Sequence, residues 1–495
     1  MRARAAWRIA WGSIRSASTS VRGPTGRRHD PREPEPDRDG RADRRPHRMS
    51  SGTGCSRLLM ALVAGSLVTM SPAACGGAAP ATMTGGPAPT AVPTAVPTPG
   101  STEGRTPGPI TWDVRQGPGR AGDQTIVSDA VSTGALLVAV GMAGTTLETG
   151  DTAGVWTSPD GRTWEPAKVA QPAGTMAAVA SGPGRLVAVG NRFENWNRAA
   201  AWTSVDGRTW QTLPASAFAA TGGYEPGALE DIAAGPGGFV AVGSEQGAGD
   251  SRAAAWYSAD GLTWTRAESN LGGDSARAVV RGGPGYVAAG WAPGVDGDDR
   301  AVFWSSPDGR TWTATPDSKD LHGITPRALA GAPQRLVAVG GGITPVAWIS
   351  KDGLSWQRLS ASGLVAPLPS VPPLESGQPM AVNTAVGGLI ATEGSFVAAG
   401  DTAAMGLASR SVVPRRVVWM SATGANWSIV AELPAPADPE SAYAFVGLLV
   451  VHQGRLLVFG SPRDVGSAPV WETDLQALLA RGRQVTEDAP PTATP

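Results

Sequence analysis

Between residues 110 and 475, apolar and polar positions alternate in short runs broken by Gly, Pro and Asp, the period of half-buried β-strands. Seven apolar runs end in glycine: LLVAVG (136–141), RLVAVG (185–190), GFVAVG (238–243), GYVAAG (285–290), RLVAVG (335–340), SFVAAG (395–400) and RLLVFG (455–460). A tryptophan-bearing strand follows each. In six cases strand and turn align without gaps: VWTSPDGRTW (155–164), AWTSVDGRTW (201–210), AWYSADGLTW (255–264), FWSSPDGRTW (303–312), AWISKDGLSW (347–356) and VWMSATGANW (418–427). Each unit reads as four strands: an inner one (residues 176–181 in the second unit), then RLVAVG, AAWTS and TWQTL. No stretch of helical period and useful length is evident among them.

Successive leading tryptophans lie 46, 54, 48, 44, 71 and 52 residues apart, the spacing of four-stranded propeller blades. A lone four-stranded sheet leaves both faces wet, so the units must stack, and stacking around a circle removes the exposed terminal faces. The fold predicted is all-β, a seven-bladed β-propeller over residues 110–478. Trp471 has no second tryptophan after it and Trp112 has none before it. The two form a seventh pair if the N-terminal strand, residues 110–115, completes the last blade.

The turn between the paired tryptophans has its own chemistry. Ser-Pro-Asp-Gly between apolar half-strands is a hairpin signal, with Asp favouring the turn and Gly supplying positive φ. Asp160, Asp206, Asp260, Asp308 and Asp352 are placed to accept hydrogen bonds from turn N–H groups and the nearby Ser or Thr hydroxyl. These segments resemble the Asp-box, or bacterial neuraminidase repeat, whose pattern Ser-x-Asp-x-Gly-x-Thr-Trp is matched by Ser204 to Trp210 with one residue fewer between Asp and Gly. The sixth copy departs further, with Thr423 in the aspartate's place. The resemblance implies a sialidase-like propeller in which these aspartates are structural turns on the face away from the ligand. The Gly340-Gly341 doublet and spaced tryptophans give a second resemblance, to kelch propellers.

Composition supports the all-β reading and adds an address. Gly (66) and Pro (43) together approach twice their usual share, which excludes a helical bundle. The formal charge of −1 hides a basic arm, residues 1–48, and an acidic remainder that argues against nucleic acid as a partner. A second methionine, Met49, opens a secretory signal, so residues 1–48 are expected to be a disordered basic arm or to precede the true start. Arg57 is followed by the apolar run Leu58–Met70, too short to span a membrane, and then by small residues up to Cys75. Ala73-Ala74-Cys75-Gly76-Gly77 resembles a bacterial lipoprotein lipobox, with Pro72 where that family prefers Leu. The resemblance implies lipidation of Cys75 and an exported protein on the outer face of the cell membrane, with simple secretion as the alternative. Residues 76–109, rich in Pro, Thr, Ala and Gly, read as an extended stalk, and 479–495 as a disordered tail.

Candidate binding residues follow from the propeller. The loops after each VAVG-type strand and before each inner strand share one face, the top, where propellers bind ligands over the channel. Counting 13 residues back from the glycine of the VAxG runs gives Glu230, Arg277 and Arg327, with Asp231 adjacent, and these break the repeat. Trp196 and Trp291 lie outside the paired set, in top loops beside Arg and Asp, and suit stacking on a sugar ring or a peptide. Arg198, Arg252, Arg300 and Arg415 each stand four residues before a leading tryptophan, and that fixed register argues for a structural contact.

Catalytic parts are scarce. Past the signal only His322 and His452 remain, too few for triads or His-based metal sites, and no cofactor is expected. The Arg-Ile-Pro motif of sialidases is absent, and among the tyrosines only Tyr224-Glu225 and Tyr443 fall where a Tyr–Glu pair could form. The loop acids Asp296, Asp298 and Asp299 have the oxygen chemistry of a Ca²⁺ site, though a solvated acidic loop explains them as well. The expectation is a monomeric, surface-tethered, non-catalytic propeller that binds a glycan or a cell-envelope protein and meets the membrane only through its lipid. A sialidase-like exo-glycosidase is the rival, and an assembly factor like the propellers that help build photosystem II is a third class.

Overall fold

The computed structural model describes residues 109–487, apart from 120–123, 145–151, 194–196, 220–221, 269–270, 284, 295–297, 368–381, 405–414, 437–444 and 462–466. The basic arm, signal, Cys75 and stalk lie outside the described residues, as do Trp196, Asp296 and Tyr443.

Seven antiparallel sheets make a seven-bladed β-propeller. The innermost strands are Gln124–Ser132, Thr175–Gly182, Glu225–Gly235, Ser275–Gly282, Ala328–Ala332, Val382–Thr392 and Phe445–His452. Each touches the next and the last touches the first, which closes the ring. In every blade the inner strand pairs with the VAVG-type strand, that strand with the tryptophan strand, and that one with a short outer strand. Blade two adds a fifth strand, Lys168–Val169, parallel to Thr209–Thr212, so it departs from the expected four. The last blade is completed by Asp113–Gln116, antiparallel to Pro469–Asp474, with Val114 opposite Trp471.

One apolar cluster fills each joint between blades. In six of them the tryptophan pair of one blade lies against the Val/Ala face of the blade before it, and in the joint between blades seven and one Trp164 does so. Trp256 and Trp264 meet Val187, Val189 and Ala201, and Trp304 and Trp312 meet Val240 and Val242. Trp471 and Trp112 share one cluster against Val397, Ala399 and Val418, so the two unpaired indoles are the seventh pair. The leading tryptophans of blades two to seven are fully buried. Burial of a tryptophan removes on the order of 200 Å² from water.

The Ser-x-Asp-Gly turns hold the outer hairpins. Asp206 Oδ1 accepts the N–H groups of Arg208 and Thr209 at 2.8 Å each and the Ser204 hydroxyl at 3.0 Å. The Gly207 carbonyl accepts Trp210 Nε1–H at 2.8 Å, which ties the turn to the indole behind it. At Gly309 φ is +79°, and a Cβ there would overlap Val240 of the preceding blade, so glycine is required twice over. The N–H bonds, led by Thr209, hold the Asp206 carboxyl below its ordinary value.

The ring closes on charge as well as on indoles. Glu472, 1% exposed, is met by Arg115 from the N-terminal strand, Arg162 from the first blade's turn and Arg455 from its neighbouring strand. His452 spans the same joint, its Nδ1 2.8 Å from the Ser132 hydroxyl and its Nε2 3.1 Å from the Pro159 carbonyl.

The C-terminal segment corrects the sequence reading. Leu475–Glu487 is a helix, where a tail was expected from residue 479. Asp474 Oδ1 accepts the Ala477 N–H and caps it. Leu475, Leu478 and Leu479 bury against the cluster of the last two blades, and Gly482 lets the helix approach Met420. The i, i+3, i+4 apolar spacing was present but spans little more than one turn, and its stability comes from docking. Asp206→Ala should lower unfolding free energy by about 1–3 kcal/mol, read from denaturant midpoints; an unchanged midpoint would remove the turn's structural role.

Candidate functional site

The inner strands carry a device that places side chains at the axis. In six blades this strand is interrupted by a β-bulge against its partner, leaving one residue unpaired: Ser128, Ala177, Glu230, Arg277, Gly387 and Gly447. In blade five Arg327 holds the equivalent place, just ahead of the first ladder pair, Ala328 with Val339. A bulge re-aims the side chain it inserts, and these seven positions are equivalent in the repeat. The result is lopsided. Blades three, four and five present Glu230, Arg277 and Arg327, all exposed, while the other four present only Ser, Ala and Gly.

The three charged groups are not mutually satisfied. Among the described residues neither Arg277 nor Arg327 closes an ion pair, and Glu230 closes none with Arg277. Glu230 touches solvent yet has protein on most sides, as a group lining a narrow passage must. Burial pushes its carboxyl above the usual glutamate range, and the Arg277 charge only partly opposes that. Burial, and then the like charge of Arg277, pull the Arg327 guanidinium down. Trp291, half-buried, stands by this group, with the Arg277 guanidinium carbon 5.5 Å from its ring centroid. It walls the arginine and does not stand free in the loop.

Asp231 does different work from its neighbour. Its Oδ1 accepts the Ile232 N–H at 2.8 Å and its Oδ2 accepts the Val279 N–H of blade four at 2.7 Å, which stitches two inner strands together. Asp129 joins blades one and two in the same way, through Ala130 and Val179. Asp401 joins blades six and seven through Val446. Burial outweighs these N–H bonds and pushes the carboxyls up, Asp129 to about 6, Asp401 to about 7 and Asp231, also facing Asp129's charge, to about 8. Asp231, a candidate ligand residue by sequence, thus shares an interblade role with Asp129 and Asp401, which no sequence feature had singled out. The available signal was an aspartate directly after the bulge in blades one and three.

The arginines in fixed register are all engaged. Arg198 pairs with Glu225 and Arg300 with Asp317. Arg415 pairs with Glu432, and Arg252 pairs with Glu245 at 2.8 Å while lying over the Tyr224 ring. Tyr224 donates to Asp250 Oδ2 at 2.6 Å, so Glu225 is not its partner. That bond, with burial, raises the phenol's pKa, the opposite of what a nucleophilic tyrosine needs. Asp298 and Asp299 are exposed, and no group of three or more metal-ligating side chains occurs among the described residues.

Compared by sequence, the chain matches no protein-family model and no curated protein. Among solved structures it is similar to YCF48 bound to D1 peptide, at 15% identity over 74% of this chain and 99% of that one, with a TM-score of 0.42. It is also similar to Trypanosoma rangeli sialidase in complex with sialic acid, at 15% identity over 73% of this chain, with a TM-score of 0.40. The match spans 56% of that sialidase's length.

The raised carboxyls give stability a definite pH dependence. An unfolded aspartate titrates near 3.8, so between that value and about 8 the folded state holds protons that unfolding releases. Stability therefore falls as pH rises through this window. Melting temperature should decline from about pH 5 to about pH 9, and Asp231→Asn should flatten the decline whatever its starting offset. A slope unchanged in that variant would show that Asp231 is ionised at neutral pH.

Proposed function

We propose that this propeller is a non-catalytic binding module, tethered through Cys75 to the outer face of the cell membrane. It takes a glycan or a cell-envelope protein at the blade three to five side of its channel mouth. One contrast carries the reading. The arginines that obey the repeat are each held by an acid, whereas Arg277 and Arg327, which break it, close no ion pair among the described residues. Arginines that close no ion pair favour an anionic group, and the Trp291 face beside Arg277 favours a ring or an apolar side chain.

Among the described residues the exo-glycosidase reading finds little support. Tyr224 is committed to Asp250 as a proton donor, and Tyr257 donates to the Gly237 carbonyl. Retaining hydrolysis by two carboxyls needs a pair about 5–5.5 Å apart facing the substrate. Of the adjacent carboxyls Glu230 and Asp231, Glu230 is exposed, whereas Asp231 is held by the backbone of blades three and four.

A fluorogenic glycoside panel and a glycan array, run on the purified protein and on Arg277→Ala, separate the two classes. Binding that weakens about tenfold or more in the variant without any turnover is expected. Turnover that disappears in the variant would make the protein an enzyme.

A further inference from the structure

The last blade is built differently from the other six, and the difference leaves a cleft on the rim of the ring. Its outermost strand, Asp113–Gln116, comes from the N-terminal side of the chain. After Pro469–Asp474 the chain enters the helix Leu475–Glu487 instead of an outer hairpin, and that helix packs with Val418, Met420 and Val430 of blade six. A cleft of about 390 Å³ remains where the three parts meet. Ile110 and Trp112 line it from the entering chain, Val430, Ala431 and Glu432 from blade six's outermost strand, and Arg481 from the helix. Its volume lies in the range of roughly 300–1,000 Å³ found for small-molecule sites. The channel is lined by the inner strands, at the opposite edge of each blade.

Each wall is fixed by its own contacts. The Thr473 hydroxyl donates to the Thr111 carbonyl at 2.9 Å, between Ile110 and Trp112. Beside Arg481, a Cβ on Gly482 would meet Met420 Sδ at 2.4 Å, so the helix is seated closely there. Ile110, Trp112 and Val430 belong to the apolar cluster that also holds Leu475, Leu478 and Leu479. The two charged groups differ in how they are matched. Glu432 is paired with Arg415, whose Nη1 also donates to the Pro367 carbonyl at 2.6 Å. Arg481 is half-buried and closes no ion pair among the described residues, its Nη1 donating to the neutral Gln484 Oε1 at 3.1 Å. The one uncompensated charge on this apolar cleft is therefore positive.

We propose that the cleft is a second binding site, separate from the channel, for an anionic amphiphile. A short acyl chain lies against Ile110, Trp112 and Val430, and its carboxylate head meets Arg481. Covering the apolar lining supplies the affinity, and the unmatched guanidinium selects an anion over an alcohol or an amine. Such an occupant touches the entering chain, blade six and the helix together. It binds only the closed ring, and so stabilises it in proportion to its concentration.

Calorimetric titration of the full chain with octanoate, octanol and octylamine tests the site, with melting temperature followed alongside. Octanoate should bind about tenfold or more tightly than octanol, and octylamine should not bind. Melting temperature should rise with octanoate concentration. Arg481→Gln should bring octanoate down to the affinity of octanol, and Ala431→Leu, which adds bulk within the cleft, should abolish binding of both. If octanol matches octanoate, or Arg481→Gln binds octanoate as the parent does, the anionic head on Arg481 is wrong. If octanoate binding is unchanged in Ala431→Leu, or disappears in Arg277→Ala, the molecule sits elsewhere and the rim site is wrong. Absence of octanoate binding would also overturn the site, and would leave the channel reading untouched.

Discussion

The fold depends on one repeated contact: indoles from each blade laid against the Val/Ala face of the blade before it. No blade has a core of its own. Its sheet is two-faced, and each face becomes an interior only when a neighbour covers it. Alanine is common on the receiving face because the indoles supply the bulk, and interior packing leaves no room for both to be large. In the six blades with a hairpin between the two tryptophans, the turn glycine packs against the blade before it, so hairpin geometry and blade stacking are settled by one set of residues.

This arrangement frees the axis. Since the blades are held by their flanks and by the stitching aspartates near the inner strands, the bulge position in blades three to five is free to carry an exposed side chain, whereas at Gly387 a Cβ would strike the Val446 carbonyl of the next blade. Three of the seven blades use that freedom for charge. The same feature explains why the aspartate after the bulge is so differently placed from the glutamate before it. One residue of offset in a strand turns a side chain from the passage to the joint.

The architecture was legible in the sequence because it is written seven times over. The indole spacing, the VAVG runs and the two unmatched tryptophans, 112 and 471, specify both blade number and closure. Of the candidate residues, Glu230, Arg277 and Arg327 were legible because they break that pattern, and the structure places them at equivalent bulge positions of three consecutive blades. Asp231 was drawn in by adjacency, since counting along a strand does not register a bulge. The C-terminal helix escaped notice because its apolar residues, Leu475, Leu478 and Leu479, make sense only against the blade six edge they cover. The interblade roles of Asp129 and Asp401 rest on contacts some 45 to 50 positions distant in the chain, which no local pattern reveals.

The closure at Asp113–Gln116 also has a mechanical side. Any tension carried down the preceding chain would enter the ring through these four residues, and it would be resisted by their ladder to Pro469–Asp474. Three guanidinium groups converge on Glu472 at that spot, one contributed by each of the strands or turns that would have to separate. The circle is thus riveted where a pull would otherwise begin to unwind it.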